Sequence, residues 1–311
     1  MEGIVVKSTG SWYELETADK ERLMARLKGK FRLKGLKSTN PIAVGDRVAF
    51  DREGDEGVIT KIFPRKNYII RRSINLSKQV QILAANVDQL FLLITLKSPQ
   101  TFLGFVDRFL MGAEAYRIPT ILLYNKTDRL NTAEEKNELK RWKSIYDKTP
   151  YEQMEISAKT GVGVEEVKAK MKGKTSIFGG HSGVGKTTLI NKIAPGLDLP
   201  TAAVSERHHS GRHTTTFAEM FQLDFGARII DTPGIKGFGN VNLEKEHLAH
   251  YFPEMRSRMD NCRFSNCVHI NEPGCAIKEA VVDGKIAESR YFNYVSIYED
   301  DDSETYRQKG Y

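Results

Sequence analysis

Among the 311 residues of this chain, Gly180-x4-Gly185-Lys186-Thr187 is the pattern with the most specific chemistry. It lies in TSIFGGHSGVGKTTLINK, residues 175–192, after a short apolar run (Ile177, Phe178) and before a helix-like stretch, Thr187 to Ile193. That strand–loop–helix setting is what a phosphate loop requires. Glycines at 179, 180, 183 and 185 let the backbone turn its N–H groups inward around phosphate oxygens. The wrapping span is Gly180, His181, Ser182, Gly183, Val184, Gly185, Lys186, Thr187 and Thr188. Lys186 is placed to neutralise β/γ oxygens, and Thr187 to offer its hydroxyl to Mg²⁺.

A second set concerns the base. Asn125-Lys126-Thr127-Asp128 follows an apolar run, Thr120–Tyr124. An aspartate carboxylate accepts two hydrogen bonds from guanine N1–H and N2–H₂, and adenine offers nothing equivalent. A carboxylate left unpaired by the wrong base discriminates strongly. Lys126 would lay its stem along the base, and Asn125 would tie this loop to the phosphate loop. Ser157-Ala158-Lys159 follows a further strand-like run, and the Ala158 N–H is a donor for guanine O6.

A third set concerns hydrolysis. Asp231-Thr232-Pro233-Gly234 ends an apolar strand, giving a Walker-B-type aspartate and a glycine, Gly234, whose N–H can sense a γ-phosphate. Upstream, Arg207 to His213 precedes Thr214, Thr215 and Thr216; by register with other GTPases, Thr215 is the Mg²⁺ contact. After DTPG the chain reads Ile235-Lys236, with no glutamine to orient water, so slow unaided turnover is expected. His213 is the nearest polar group for that role by motif; a loop histidine or an RNA contact is the blander alternative.

An ordinary GTPase runs phosphate loop, switch threonine, DxxG, NKxD, SAK. Here NKTD and SAK come first, so the motifs are circularly permuted, with Lys172-Gly173-Lys174 joining the ordinary termini. Beyond them, Cys262-x4-Cys267-x-His269-x5-Cys275 uses every cysteine of the chain. Three thiolates and an imidazole suit one tetrahedral, structural Zn²⁺, and an odd count argues against disulfides.

The elements that must position these groups fall into three domains. Residues 1–70 hold five short β-rich runs split by turn signals, an OB-fold barrel pattern. Lys28, Lys30, Arg32, Lys34 and Lys37 line one of its loops with Phe31 between them, a surface for RNA backbone. The charge supports this: residues 1–80 carry 17 Lys/Arg against 10 Asp/Glu, and the net charge of the whole chain is +7. Residues 64–86 read as a connector. Residues 71–240 carry α/β grammar, a mostly parallel sheet with helices on both faces, and Gln89–Leu96 is an apolar run fit for a strand buried on both sides. Residues 241–311 read as a helical zinc-binding domain with a disordered acidic tail, Glu299 to Glu304. No apolar run spans a membrane and no secretion signal opens the chain, so a cytoplasmic, monomeric protein is expected.

Taken together, NKTD (125–128), SAK (157–159), GHSGVGKTT (180–188), GRHTTT (211–216), DTPG (231–234) and the Cys₃His motif (262–275) resemble the ribosome small-subunit-dependent GTPase A family. The resemblance covers nearly the whole chain. It implies Mg²⁺-dependent hydrolysis of GTP to GDP, stimulated by the small (30S) ribosomal subunit, in late maturation of that subunit. It also implies that the OB and zinc domains contact 16S rRNA. The alternatives are a permuted GTPase serving the large subunit and a nucleotide-switched RNA-binding protein without turnover.

Overall fold

A computed structural model describes residues 1–27, 41–72, 80–197, 218–231 and 243–299. The first five strands are β1 (Glu2–Ser8), β2 (Tyr13–Thr17), β3 (Arg22–Leu27), β4 (Arg47–Glu53) and β5 (Glu56–Ile62). All five fall within residues 1–70, where the sequence places five short β-rich runs. They pair in the order β1-β2-β3-β5-β4 and close through β4–β1; β3–β5 is parallel and the other pairs antiparallel. Closure removes both sheet edges, the OB-type solution for short strands. Alternation sends Val5, Leu15, Leu23, Ala25, Val48, Phe50 and Ile59 inward around Tyr13 and Ile42.

Residues 64–86, expected as a connector, instead hold an antiparallel ribbon of β6 (Tyr68–Arg72) and β7 (Val80–Ala85). Ile69, Ile82 and Ala84 are buried, so apolar residues dispersed among basic and polar ones found a sheet partner. The side chain of Asn67 closes the base of the ribbon, accepting from Val87 N–H and donating to its carbonyl, both at 2.8 Å.

The remaining elements are β8 (Gln89–Ile94), α1 (Leu103–Ala115), β9 (Thr120–Tyr124), α2 (Ala133–Tyr146), β10 (Glu152–Glu155), α3 (Val164–Met171), β11 (Thr175–Gly179), α4 (Lys186–Ile193), β12 (Glu219–Gln222), β13 (Arg228–Asp231), α5 (Pro253–Arg256), α6 (Ala276–Val282) and α7 (Glu288–Glu299). In the region read as helical, Lys245–Tyr251 forms a 3₁₀ segment, ended by Pro253. Helix α2 starts on a capping box, with Thr132 accepting from Glu135 N–H while the Glu135 carboxylate accepts from Thr132 N–H. The acidic tail beyond Glu299 lies outside the described residues.

The described residues form two compact units. The first comprises those of Met1–Leu90, Glu165–Gly179 and Ile193–Gly237, and orders its strands β11-β13-β12-β1-β2-β3-β5-β4. The barrel is therefore continuous with the β12–β13 hairpin, sewn by Lys7–Glu219 (3.1 Å) and Arg228–Glu16 (2.9 Å). The second comprises those of Phe91–Val164, Gly180–Lys192 and Phe238–Tyr311. There β9 lies between parallel β10 and the Phe91–Ile94 part of β8. Helix α1 packs on α7 and the 3₁₀ segment over a core of Met111, Leu248, Phe252, Met255, Ile277 and Tyr294. No helix among the described residues is long and apolar enough to cross a membrane.

Candidate functional site

The phosphate loop leaves the end of β11 and runs into α4. Gly180, Gly183 and Gly185 have φ of 129°, 81° and 99°, in the region that favours glycine. Space excludes side chains too: a Cβ on Gly180 would meet Leu93 O at 2.8 Å, and one on Gly185 would meet Asn125 Nδ2 at 2.5 Å. Lys186 arches over the loop, its Nζ donating to the Gly180 (2.6 Å) and His181 (2.7 Å) carbonyls. Ser182, Gly183 and Thr188 are exposed and Thr187 is half-buried, which leaves the loop open to a ligand.

Asn125 is the joint of the site. Buried at the end of β9, it donates from Nδ2 to Val184 O (2.7 Å) and accepts at Oδ1 from Ala158 N–H (3.0 Å). One side chain thus unites NKTD, SAK and the phosphate loop, although the phosphate loop lies 59 residues away in the chain. Asp128 is oriented by Ser157, whose hydroxyl donates to Oδ1 at 2.6 Å. Thr127 anchors its own loop to Ile156 O through its hydroxyl (3.0 Å) and N–H (3.2 Å). Lys126, at φ 66°, donates to Ser98 O (2.6 Å) and Gly183 O (2.7 Å); burial and the nearby Arg129 hold its ammonium below the ordinary lysine range. Lys159 is exposed at the rim.

Asp231 ends β13 at the strand's carboxyl end, where ligands of α/β sheets gather. It is half-buried, and burial, reinforced by Glu219, raises its carboxyl above the usual range. Gly234, His213, Thr215 and the cationic residues Lys28, Lys30, Arg32, Lys34 and Lys37 lie outside the described residues.

The ligand atoms of Cys262, Cys267, His269 and Cys275 lie within 4.8 Å of one another. His269 Nδ1 is 3.5 Å from Cys262 Sγ and 3.4 Å from Cys275 Sγ. Tetrahedral bonds of about 2.3 Å to sulfur and 2.0–2.1 Å to nitrogen would set such ligands about 3.6 Å apart, so the group fits zinc with Nδ1 as the ligand atom. Burial above all, with the neighbouring Cys275 and Cys262, pushes the Cys267 thiol up to about 12, and a cation among the sulfurs would act in the opposite direction. Around it, Glu272 accepts from the N–H groups of Val268 (2.9 Å) and Ile270 (3.0 Å), while Tyr291 and Tyr294 donate to the carbonyls of His269 (2.8 Å) and Val268 (2.7 Å). These supports hold His269 at φ 63°. Sequence patterns missed all three, because nothing local marks a tyrosine on α7 as a strut for a loop some two dozen residues upstream.

Also missed was the segment between β8 and α1, which touches the phosphate loop. Its position after the carboxyl end of a buried strand was the available signal.

Family models described as RsgA GTPase and RsgA N-terminal domain match residues 62–241 and 2–59. Proteins named small ribosomal subunit biogenesis GTPase RsgA are similar along the chain. That of Christiangramia forsetii is 55% identical, covering 100% of this chain and 99% of the relative. That of Bacteroides fragilis is 50% identical, covering 99% of each. Among solved structures, YjeQ from Thermotoga maritima superposes with a TM-score of 0.79 at 39% identity, covering 96% of both chains. YloQ, described as a circularly permuted GTPase, does so with 0.74 at 27% identity, covering 100% of this chain and 96% of that one. The permuted motif order, the OB-ordered barrel and the Cys₃His cluster therefore have one explanation: this chain belongs to the RsgA family of circularly permuted GTPases.

Proposed function

We propose that this chain hydrolyses GTP to GDP and phosphate in the biogenesis of the small ribosomal subunit, with the subunit stimulating turnover. The single observation that supports the nucleotide reading is the bridge from Asn125 to Val184 O and Ala158 N–H, which ties residues 125–128, 157–159 and 180–188 together. Asp128 reads the guanine edge and Lys126 flanks the base plane, while the Ala158 N–H, expected to meet O6, is taken by Asn125 Oδ1 and braces the loop. The backbone of residues 180–188 and Lys186 hold the phosphates. Thr187 and Thr215 would hold Mg²⁺, which supplies charge neutralisation at the β and γ oxygens. Asp231 supports that shell, Gly234 senses the γ-phosphate, and His213 orients the attacking water.

The division of labour is 1–70 as an RNA-binding barrel, 71–240 as the permuted GTPase and 241–311 as a zinc-held helical domain. Lys28, Lys30, Arg32, Lys34 and Lys37 supply charge toward 16S rRNA. Cys262, Cys267, His269 and Cys275 hold one structural zinc. The protein acts in the cytoplasm as a monomer.

Phosphate release measured with and without purified small subunits tests this reading. Stimulation by small but not large subunits is expected. Equal stimulation by large subunits, or no turnover with either, would overturn it, as would undiminished hydrolysis by Lys186→Ala.

A further inference from the structure

The Thr95–Thr101 segment meets the phosphate loop at successive points. Pro99 lies where a Cβ on Gly183 would come within 3.3 Å, and Lys126 clips Ser98 O to Gly183 O. At the far end the Thr101 hydroxyl is 2.8 Å from His181 Nε2. The direction of that bond follows from its neighbours. Thr101 Oγ1 accepts from the buried Thr95 N–H at 3.0 Å, which leaves its own proton to donate. His181 Nδ1 is 3.1 Å from Ser182 O, a carbonyl that can only accept, so Nδ1 carries the ring proton and Nε2 is the acceptor. Burial first, with the ammonium groups of Lys186 and Lys126, outweighs the Ser182 carbonyl and favours the neutral ring that this arrangement needs. Phe105, in the first turn of α1, meets the imidazole edge-on, with centroids 5.5 Å apart at 87°. Two hydrogen bonds and a ring contact therefore fix one side chain directly beside the exposed Ser182 and Gly183.

We propose that His181 is a positioning residue of the phosphate loop, held by Thr101 and Phe105 so that the N–H groups of residues 182–185 stand preformed for the diphosphate of a guanine nucleotide. The inference rests on reading residues 180–188 as the nucleotide site. Its logic is preorganisation: ordering a glycine-rich loop before the ligand arrives spares that entropy on binding. Thr101 and Phe105 touch no phosphate; they act through His181.

The test is binding of a fluorescent GDP and of a GTP analogue to the full chain with Mg²⁺, across His181→Ala, His181→Gln, His181→Asn, Thr101→Val and the double variant His181→Ala/Thr101→Val. His181→Ala should weaken both nucleotides about equally, by about fivefold, the worth of one hydrogen bond. His181→Gln puts an acceptor where Nε2 stood and should recover most of the loss; His181→Asn reaches only the place of Nδ1 and should not. A purely structural role would lower the melting temperature without separating Gln from Asn in affinity. Thr101→Val should weaken binding as His181→Ala does, and the double variant should be no worse than either single. Unchanged affinity in His181→Ala, glutamine no better than asparagine, or additive losses would each overturn the proposal. Should His181→Ala fail to fold, the comparison of Gln with Asn decides alone. If the unaltered chain binds no GDP, the nucleotide-site reading falls; if it binds and the His181 series is flat, only this inference does.

Discussion

Arg290 on α7 and Asp107 on α1 form an ion pair at 2.7 Å with both side chains 1% exposed, although 183 residues separate them. The guanidinium also meets Glu254 on α5 through Nε (2.7 Å) and Nη2 (3.1 Å), and its carbon lies 4.7 Å from the centre of the Phe252 ring. Tyr146 (2.8 Å) and Asn293 (2.5 Å) donate to Asp107 as well. Two buried carboxylates thus share one cation. Arg290→Met should leave both uncompensated and cost about 3–5 kcal/mol of unfolding free energy in denaturant titration. A loss below about 1 kcal/mol would mean that water reaches the cluster.

The capping box of α2 makes a pH prediction. Lys97 and the N–H groups of Thr132 and Asn131 hold the Glu135 carboxyl down at about 2, against an ordinary 4.5. A depressed folded-state value gives stability that is full above 4.5 and lost as pH falls toward about 2. The melting-temperature gap between the chain and Glu135→Gln should be widest near neutrality and shrink through that window. A gap independent of pH would show that the charge plays no part.

Asp128→Asn should weaken GTP binding by about a hundredfold, two charge-assisted bonds at about 1.5 kcal/mol each. It should also move preference toward xanthine nucleotides, because xanthine O2 accepts where guanine N2 donates. Competition binding with GTP and XTP reads both effects, and unaltered GTP affinity would remove Asp128 from the base-reading role.

One zinc per chain is expected from elemental analysis. Cys267→Ser should release it and expose residues 243–299 to protease while nucleotide still binds, since metal binding and local folding are coupled in such sites. A folded, protease-resistant preparation free of zinc would contradict this.

His213→Ala should leave GTP affinity within about twofold, since a water-orienting group adds little to ground-state binding, and remove most of the rate stimulated by small subunits. Stimulation that survives with subunit binding intact would transfer the water-orienting role to another group.

What the sequence determined by itself rests on short-range chemistry. The glycines at 180, 183 and 185 announce backbone angles, and those angles were found. The unbroken apolar run at Thr120–Tyr124 announces a buried strand with the same bounds. The Cys₃His spacing announces a cluster that closes within fourteen residues, and its ligand atoms converge. Tertiary structure decided what depends on partners far along the chain. Arginine is rarely buried unless paired, and only packing supplies Arg290 with Asp107 and Glu254. Tyr68–Arg72 reads as basic linker until Val80–Ala85 pairs with it. His181 looks like one more loop residue until the fold sets Thr101, 80 positions earlier, against its ring. Local propensity is written residue by residue, whereas a hydrogen bond between distant side chains exists only once burial has removed the water that would compete for it.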